Sequence, residues 1–331
     1  MNEPVRVGLI GAGIMGADHA RIVAGDVPGA RLVAVCDADG DRARTVAGRY
    51  DAAALTDPHG LIARDDVDAV LIASPDPTHG PLTLACIAAG KPVLCEKPLA
   101  PDPATCLAIV EAEARAGRRL VHVGFMRRFD PGYAAMRRTL DEGVIGRALM
   151  LHCVHRNVEA PPGFTGAMAI TNSAPHEFDI LRFLLSAEPA AITAYQPRRD
   201  GVVAPVVMVI ETDAGQLVTI EVNNEAAYGY DVRGELVGET GTVSLRPPVA
   251  VERNADLRSA TPYPADWRPR FAEAYRLQDR AWIDAVRSGT PSPVAAGAWD
   301  GYVASVTATA GERALAEGRR VAIALPDRPG A

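Results

Sequence analysis

Val5-Arg6-Val7-Gly8-Leu9-Ile10-Gly11-Ala12-Gly13-Ile14-Met15-Gly16 is an apolar run that ends in a glycine-rich turn. The run reads as a buried β-strand, and residues 15–24 read as the helix that the turn opens. Gly11 permits the tight turn, Gly13 a close approach of the backbone to a pyrophosphate, and Gly16 the packing of helix on strand. Such a spacing is a weak signal alone, but here the next strand, residues 31–36, ends at Asp37, 21 residues after Gly16. A carboxylate at that place accepts hydrogen bonds from an adenosine ribose and repels a 2′-phosphate. The expected cofactor is therefore NAD. Arg42, with Arg44 on the following helix, is the cation through which an NADP preference would be read.

Working outward, residues 42–50 read as a helix, 69–73 as a buried strand and 81–89 as a helix. Residues 92–95 read as a short strand, 103–116 as a helix stopped by Gly117, and 120–123 as a last strand. Continuous apolar strands between amphipathic helices predict an α/β fold with a parallel sheet covered on both faces, a Rossmann dinucleotide-binding domain over residues 1–123. After Gly124 the pattern changes to strands at 147–155, 190–196, 203–211, 216–223, 231–237 and 242–245, several joined by tight turns such as Asp213-Ala214-Gly215. Helices interrupt near 131–142, 176–185 and 271–287. Residues 124–331 are thus expected to form an α+β domain with a large, mostly antiparallel open sheet. A last helix at 300–316 and a strand at 320–324 are free to dock on either domain, and the Pro-rich stretch 247–269 reads as a long surface loop.

Composition bounds the partners. Nearly half of the 331 residues are apolar, and the net charge of −7 gives no reason to expect nucleic acid or an anionic membrane. Cys36, Cys86, Cys95, Cys106 and Cys153 are scattered without a C-x-x-C pair, which suits reduced thiols in a cytoplasm and predicts no metal centre. No stretch approaches the roughly 20 apolar residues of a membrane span, and no signal peptide precedes the first strand. A cytoplasmic protein is expected.

Only two lysines, Lys91 and Lys97, stand among the 34 lysines and arginines, and both lie in Gly90-Lys91-Pro92-Val93-Leu94-Cys95-Glu96-Lys97-Pro98. Where arginine serves as the general cation, a retained lysine points to an amine whose proton can be tuned by burial. Lys97 is the candidate for that chemistry. Lys91 reads as a solvated cation at a helix end. Ser74, Pro75 and His79 follow the third buried strand, in a segment stiffened by two prolines. Ligands of such sheets bind outside the strands' carboxyl ends, so these residues are expected to line the cofactor. Ile14 and Met15 of the turn, Glu96, Lys97 and Met126 complete that set.

The turn, Glu96-Lys97-Pro98 and Asn172-Ser173-Ala174-Pro175-His176-Glu177-Phe178-Asp179 resemble the Gfo/Idh/MocA sugar oxidoreductases. Residues 124–130 (GFMRRFD), 151–157 (LHCVHRN) and 228–238 (YGYDVRGELVG) look like the branch of that family that oxidises cyclitols, the inositol 2-dehydrogenases. The likeness spans nearly the whole chain. It implies NAD-linked oxidation of myo-inositol to scyllo-inosose by a homotetramer joined through its open sheets.

Oxidising a secondary alcohol needs a base poised near neutrality while the carbon-bound hydrogen leaves as hydride. His176 is the expected proton acceptor, and Lys97 the group that orients the hydroxyl and steadies the alkoxide; the two roles are exchangeable. Asn172 completes this catalytic group in place of the aspartate usual in the family. An amide cannot stabilise an imidazolium as a carboxylate does, so Asp179, three residues beyond His176 on one helix, is the alternative partner. Substrate hydroxyls are expected to meet His155 and Asn157, which alternate along one strand, with Arg127, Ser173 and Tyr230. Tyr228 and Asp231 are further candidates, and residues 161–164 a lid. Competing functions are a dehydrogenase of another sugar or polyol, an NAD-dependent glycosidase, and a non-catalytic nucleotide-binding regulator.

Overall fold

The computed structural model describes residues 3–197, 203–246 and 252–329. The chain forms two compact units, one of Met1–Phe129, Glu273–Ser305 and Pro326–Ala331, the other of Asp130–Ala272 and Val306–Leu325.

In the first unit, β1 (Val5–Ile10), β2 (Ala30–Cys36), β3 (Ala53–Leu55), β4 (Ala69–Ile72), β5 (Val93–Cys95) and β6 (Val121–Val123) form one parallel sheet in the order β3-β2-β1-β4-β5-β6. Between them run α1 (Ile14–Gly25), α2 (Gly40–Ala47), α3 (Pro58–Ile62), α4 (His79–Ala88) and α5 (Pro103–Ala116). β4 and β5 are buried at every position, as a sheet with helices on both faces requires. The strand order reverses at the β1–β4 pair, which opens a crevice beyond their carboxyl ends. β3 and α3 go beyond the sequence expectation: Ala53-Ala54-Leu55 has neither length nor β-branched residues to mark a strand. Asp57 and Pro58 nevertheless start α3 cleanly, the aspartate accepting from the amides of His59 and Gly60.

The second unit carries a seven-stranded sheet in the order β12-β11-β7-β10-β9-β8-β15. Its strands are β7 (Ala148–Arg156), β8 (Pro189–Tyr195), β9 (Val206–Thr212), β10 (Leu217–Asn223), β11 (Asp231–Gly238), β12 (Thr242–Leu245) and β15 (Val321–Ala322). Only the β7–β10 pair is parallel. Period-two alternation sets its faces: Leu151, Cys153, His155, Val218, Ile220 and Val222 are buried on one, under α6 (Pro131–Asp141) and α8 (Pro175–Leu185). On the other, Tyr195, Val207 and Leu217 are each at least 40% exposed. α7 (Gly166–Met168) is a single turn before α8. The last strand docks here, on β8. Of the expected loop at 247–269, residues 247–251 lie outside the described residues. The rest holds a hairpin of β13 (Arg253–Ala255) and β14 (Arg258–Ala260), then the start of α9 (Trp267–Ser288). The last long helix is α10 (Ala298–Glu317). No helix among the described residues is long and apolar enough to cross a membrane.

Candidate functional site

The glycine turn of the first unit closes only with glycines at two of its three positions. Gly11 sits at φ +94°, and a Cβ there would meet the Ala73 carbonyl and the Ser74 amide at 2.5 Å. At Gly16 a Cβ would lie 1.8 Å from the Gly11 oxygen, so helix and turn could not pack. Gly13 is the N-cap of α1, with open space where a Cβ would stand and no side chain to cap the helix. The contrast with α2, α3 and α5 is informative, because Asp39, Asp57 and Asp102 cap those three. α1 therefore presents first-turn amides and the positive end of its dipole to an anion. Ile14, 69% exposed, and the half-buried Met15 flank this entrance.

Asp37 lies at the end of β2, 9% exposed. Its Oδ2 accepts from the Ala12 amide at 2.8 Å and its Oδ1 from the Asp39 amide at 2.9 Å. These bonds tie the carboxylate to the same turn. Arg42 reaches it only at 3.4–3.5 Å from a half-exposed side chain. A dinucleotide fits this set: uncapped amides for phosphates, and a fixed carboxylate for ribose hydroxyls.

At the end of β4, Ser74 is half-buried and shares its hydroxyl with Thr78 at 2.6 Å, while Pro75 is exposed. His79 is 1% exposed, and its ring bridges the Pro98 oxygen at 2.7 Å and the Ser74 oxygen at 2.8 Å. The imidazole thus clamps the Ser74 wall to the loop that carries Lys97. That loop contains a cis Lys97–Pro98 peptide, with Lys97 half-buried. Lys91, read from sequence as solvated, instead donates to the Arg64 carbonyl at 2.6 Å, and its ammonium is depressed by burial.

Glu96 points inward. Its Oε2 accepts from the Lys97 amide at 3.2 Å, and its Oε1 meets His19 Nε2 at 3.0 Å. The other ring nitrogen of His19 lies 2.8 Å from Asp279 Oδ2. A Cβ at Gly124 would come within 2.9 Å of the Glu96 carboxylate, so a larger residue there would have to displace that side chain. Sequence reading missed His19 and Asp279. Met126 and Arg127, on a 3₁₀ turn after β6, are 2% and 1% exposed.

The second unit supplies another constellation. His155, on β7, and Glu177, on α8, meet at 3.2 Å with both side chains buried. The Tyr230 ring packs edge-on against His155, and Phe271 edge-on against Tyr230. His176, Glu177 and Asp179 are 7%, 1% and 1% exposed, so the first turn of α8 is buried charge and imidazole. Asn172 and Ser173 sit on a π-helical turn, Ala169–Ser173, a local widening common at functional sites. Asn172 is exposed and accepts from the Thr171 hydroxyl at 3.0 Å, while Ser173 is paired with Asn224 at 3.0 Å. Asn157 follows the end of β7, its amide still bonded to the Asn223 carbonyl at 2.8 Å.

Tyr228 and Asp231 belong elsewhere. Tyr228 is 49% exposed and bonds Arg156 at 2.9 Å and Asp231 at 2.7 Å; Arg156 pairs with Glu221, and Asp231 with Arg233. Arg156 follows His155 in the strand and therefore points to the opposite face. Of the three polar candidates in that motif, Tyr230 packs against the His155 ring.

Among the described residues no group of three or more His, Cys, Asp or Glu is arranged to hold a metal ion, and the five cysteines are buried free thiols.

Comparison with known proteins converges on one family. Residues 5–125 match the family model for the oxidoreductase family with an NAD-binding Rossmann fold, GFO_IDH_MocA, and residues 133–244 match that of the GFO/IDH/MocA C-terminal domain. Inositol 2-dehydrogenase 1 of Saccharopolyspora erythraea is 50% identical over 98% of both chains, and inositol 2-dehydrogenase of Streptomyces avermitilis 44% identical over 99% of this chain and 97% of that one. The crystal structure of myo-inositol dehydrogenase from Lactobacillus casei, in complex with NAD(H) and myo-inositol, is similar at a TM-score of 0.93, with 32% identity over 98% of each chain. With both parts of the chain matched and the likeness running its full length, this protein belongs to the Gfo/Idh/MocA oxidoreductase family.

Proposed function

We propose that this chain is an NAD-dependent dehydrogenase of a cyclitol, oxidising one ring hydroxyl of myo-inositol to the ketone scyllo-inosose. The observation that carries this reading is its 50% identity to an inositol 2-dehydrogenase over 98% of both chains. The uncapped α1 and the anchored Asp37 support NAD in particular, since a 2′-phosphate would meet a carboxylate already fixed in place.

Bound NAD supplies the acceptor for the hydride. His176 takes the hydroxyl proton as general base, and Lys97 orients that hydroxyl and stabilises the alkoxide as it develops. Asn172 holds a ring nitrogen or a hydroxyl, and Asp179, one helical turn from His176, balances the imidazolium that forms. His155, held by Glu177, with Asn157, Ser173, Arg127 and Tyr230, binds the remaining hydroxyls. The enzyme works in the cytoplasm as a homotetramer that covers the exposed Tyr195, Val207 and Leu217 face of the second sheet.

Reduction of NAD across a panel of inositols and pyranoses tests the reading; growth of NADH with myo-inositol is the expected result. Release of an aglycone without NADH would replace it by glycoside hydrolysis. Lys97→Ala lowers kcat by about 10²–10⁴-fold while NAD affinity stays unchanged. The amide at Asn172 favours one second reading, a different polyol as substrate, and a large gain with myo-inositol in Asn172→Asp would support it.

A further inference from the structure

His19 lies on α1, five residues into the helix that follows the glycine turn, and is 1% exposed. No ring nitrogen is spare: Nδ1 faces Asp279 at 2.8 Å and Nε2 faces Glu96 at 3.0 Å. Both facing atoms are carboxyl oxygens; burial raises Asp279, but with both acids ionised both nitrogens donate, which is the pattern of an imidazolium. Burial alone would strip the proton. Asp279 and Glu96 overrule it and push the ring up to about 10, so the cation persists at neutral pH. Tyr275 closes the site, its ring edge-on at 5.7 Å.

The anchored partner matters for chemistry because Glu96 immediately precedes Lys97. Its second oxygen accepts the Lys97 amide at 3.2 Å, in the space that Gly124, lacking a Cβ, leaves for the carboxylate. One continuous chain of charge-assisted bonds therefore runs from Asp279 through His19 and Glu96 to the Lys97 backbone. It joins α9, the helix behind the nucleotide turn, and the lysine loop. We propose that His19 is a positioning residue of the hydride-transfer reaction, setting the backbone of Lys97 through the Glu96 carboxylate and touching neither substrate nor cofactor. The inference rests on the dehydrogenase reading above.

The test compares His19→Gln with the parent enzyme, with kcat expressed per NAD-binding site measured by titration. Gln keeps one donor and the approximate reach but loses the charge and one bond. A lysine loop displaced by the better part of an ångström costs about 10²-fold in kcat. The expected result is a fall in kcat toward that figure with the Kd for NAD and the KM for NAD unmoved. Asp279→Asn, which keeps the ring on Glu96, is expected to give a smaller fall in kcat, and it decides the matter should His19→Gln fail to bind NAD. Variants that lose thermal stability yet keep the parent kcat per site would reduce His19 to a packing residue and overturn the proposal. Lys97→Ala separates the two levels: retained turnover there removes the dehydrogenase mechanism itself, whatever His19 does.

Discussion

His19 and His122 are both buried in the parallel-sheet unit, 1% and 6% exposed, yet their proton affinities are shifted in opposite directions. His19 is held between two carboxylates and keeps its proton. His122, in the middle of β6, is pushed down to about 3 by burial, with Arg119 and Arg128 adding to the effect. Its Nε2 has no hydrogen-bond partner among the described residues, and its ring lies tilted against that of Phe129, centroids 6.4 Å apart. Burial lowers both rings alike, so it cannot be what separates them. Neighbouring charge decides, and only the first arrangement makes the side chain irreplaceable.

The same apolar replacement at the two positions tests that difference most strongly. His19→Leu leaves Glu96 and Asp279 facing one another in the interior without the cation between them. Breaking a buried ionic group in this way costs about 3–5 kcal/mol, to be read from urea unfolding of the holoenzyme. A loss below 1 kcal/mol would mean that the imidazolium is not the keystone of the cluster.

Next in size is the dependence of stability on pH. A histidine is near 6.5 in the unfolded chain. His19, raised above that, contributes stability fully below about pH 6.5 and loses it as pH climbs toward 10. His122, lowered, contributes above about pH 6.5 and loses it as pH falls toward 3. Unfolding free energies measured near pH 4, 6.5 and 9.5 should fall on both sides of the middle value. His19→Leu should flatten the alkaline limb alone, and an unchanged alkaline limb would break the comparison.

The smallest effect belongs to His122→Phe. Removing an unpartnered buried nitrogen relieves a desolvation penalty, and the adjoining cavity of about 320 Å³ gives the larger ring room. Stability should change by less than about 1 kcal/mol, with the acid limb shallower. A loss as large as that of His19→Leu would show a role for the ring that its surroundings do not suggest.

What was legible in the sequence follows the range of the interactions. β1, β2, β4 and β5 are short apolar runs between helices and could be read directly, as could Asp37 at the end of β2. Six of the seven strands of the second sheet lie close to where alternation and tight turns, both local signals, predict them. β3 was illegible, since three residues carry no period. The faces of the motif at 228–231 were illegible for another reason. Tyr228 and Tyr230 have the same side-chain type, and Arg156, Glu221 and Arg233 draw Tyr228 and Asp231 into a network that spacing alone does not reveal. His19 and Asp279 were the hardest case: neither belongs to a motif, and 260 positions separate them. Lys97 and His176 stood out only because rarity and family likeness singled them out.

That separation has a consequence for how the molecule is made. The nucleotide-binding unit combines Met1–Phe129 with Glu273–Ser305 and Pro326–Ala331, and most of the other unit is encoded between the first two of these segments. A ribosome adding about 5–20 residues per second delivers Asp279 on the order of ten to fifty seconds after His19. Through that interval Glu96 is the one carboxylate partner of His19 already synthesised. The second carboxylate of the cluster arrives only when a helix encoded far downstream emerges, so synthesis of the middle of the chain is the clock that times the cluster's completion.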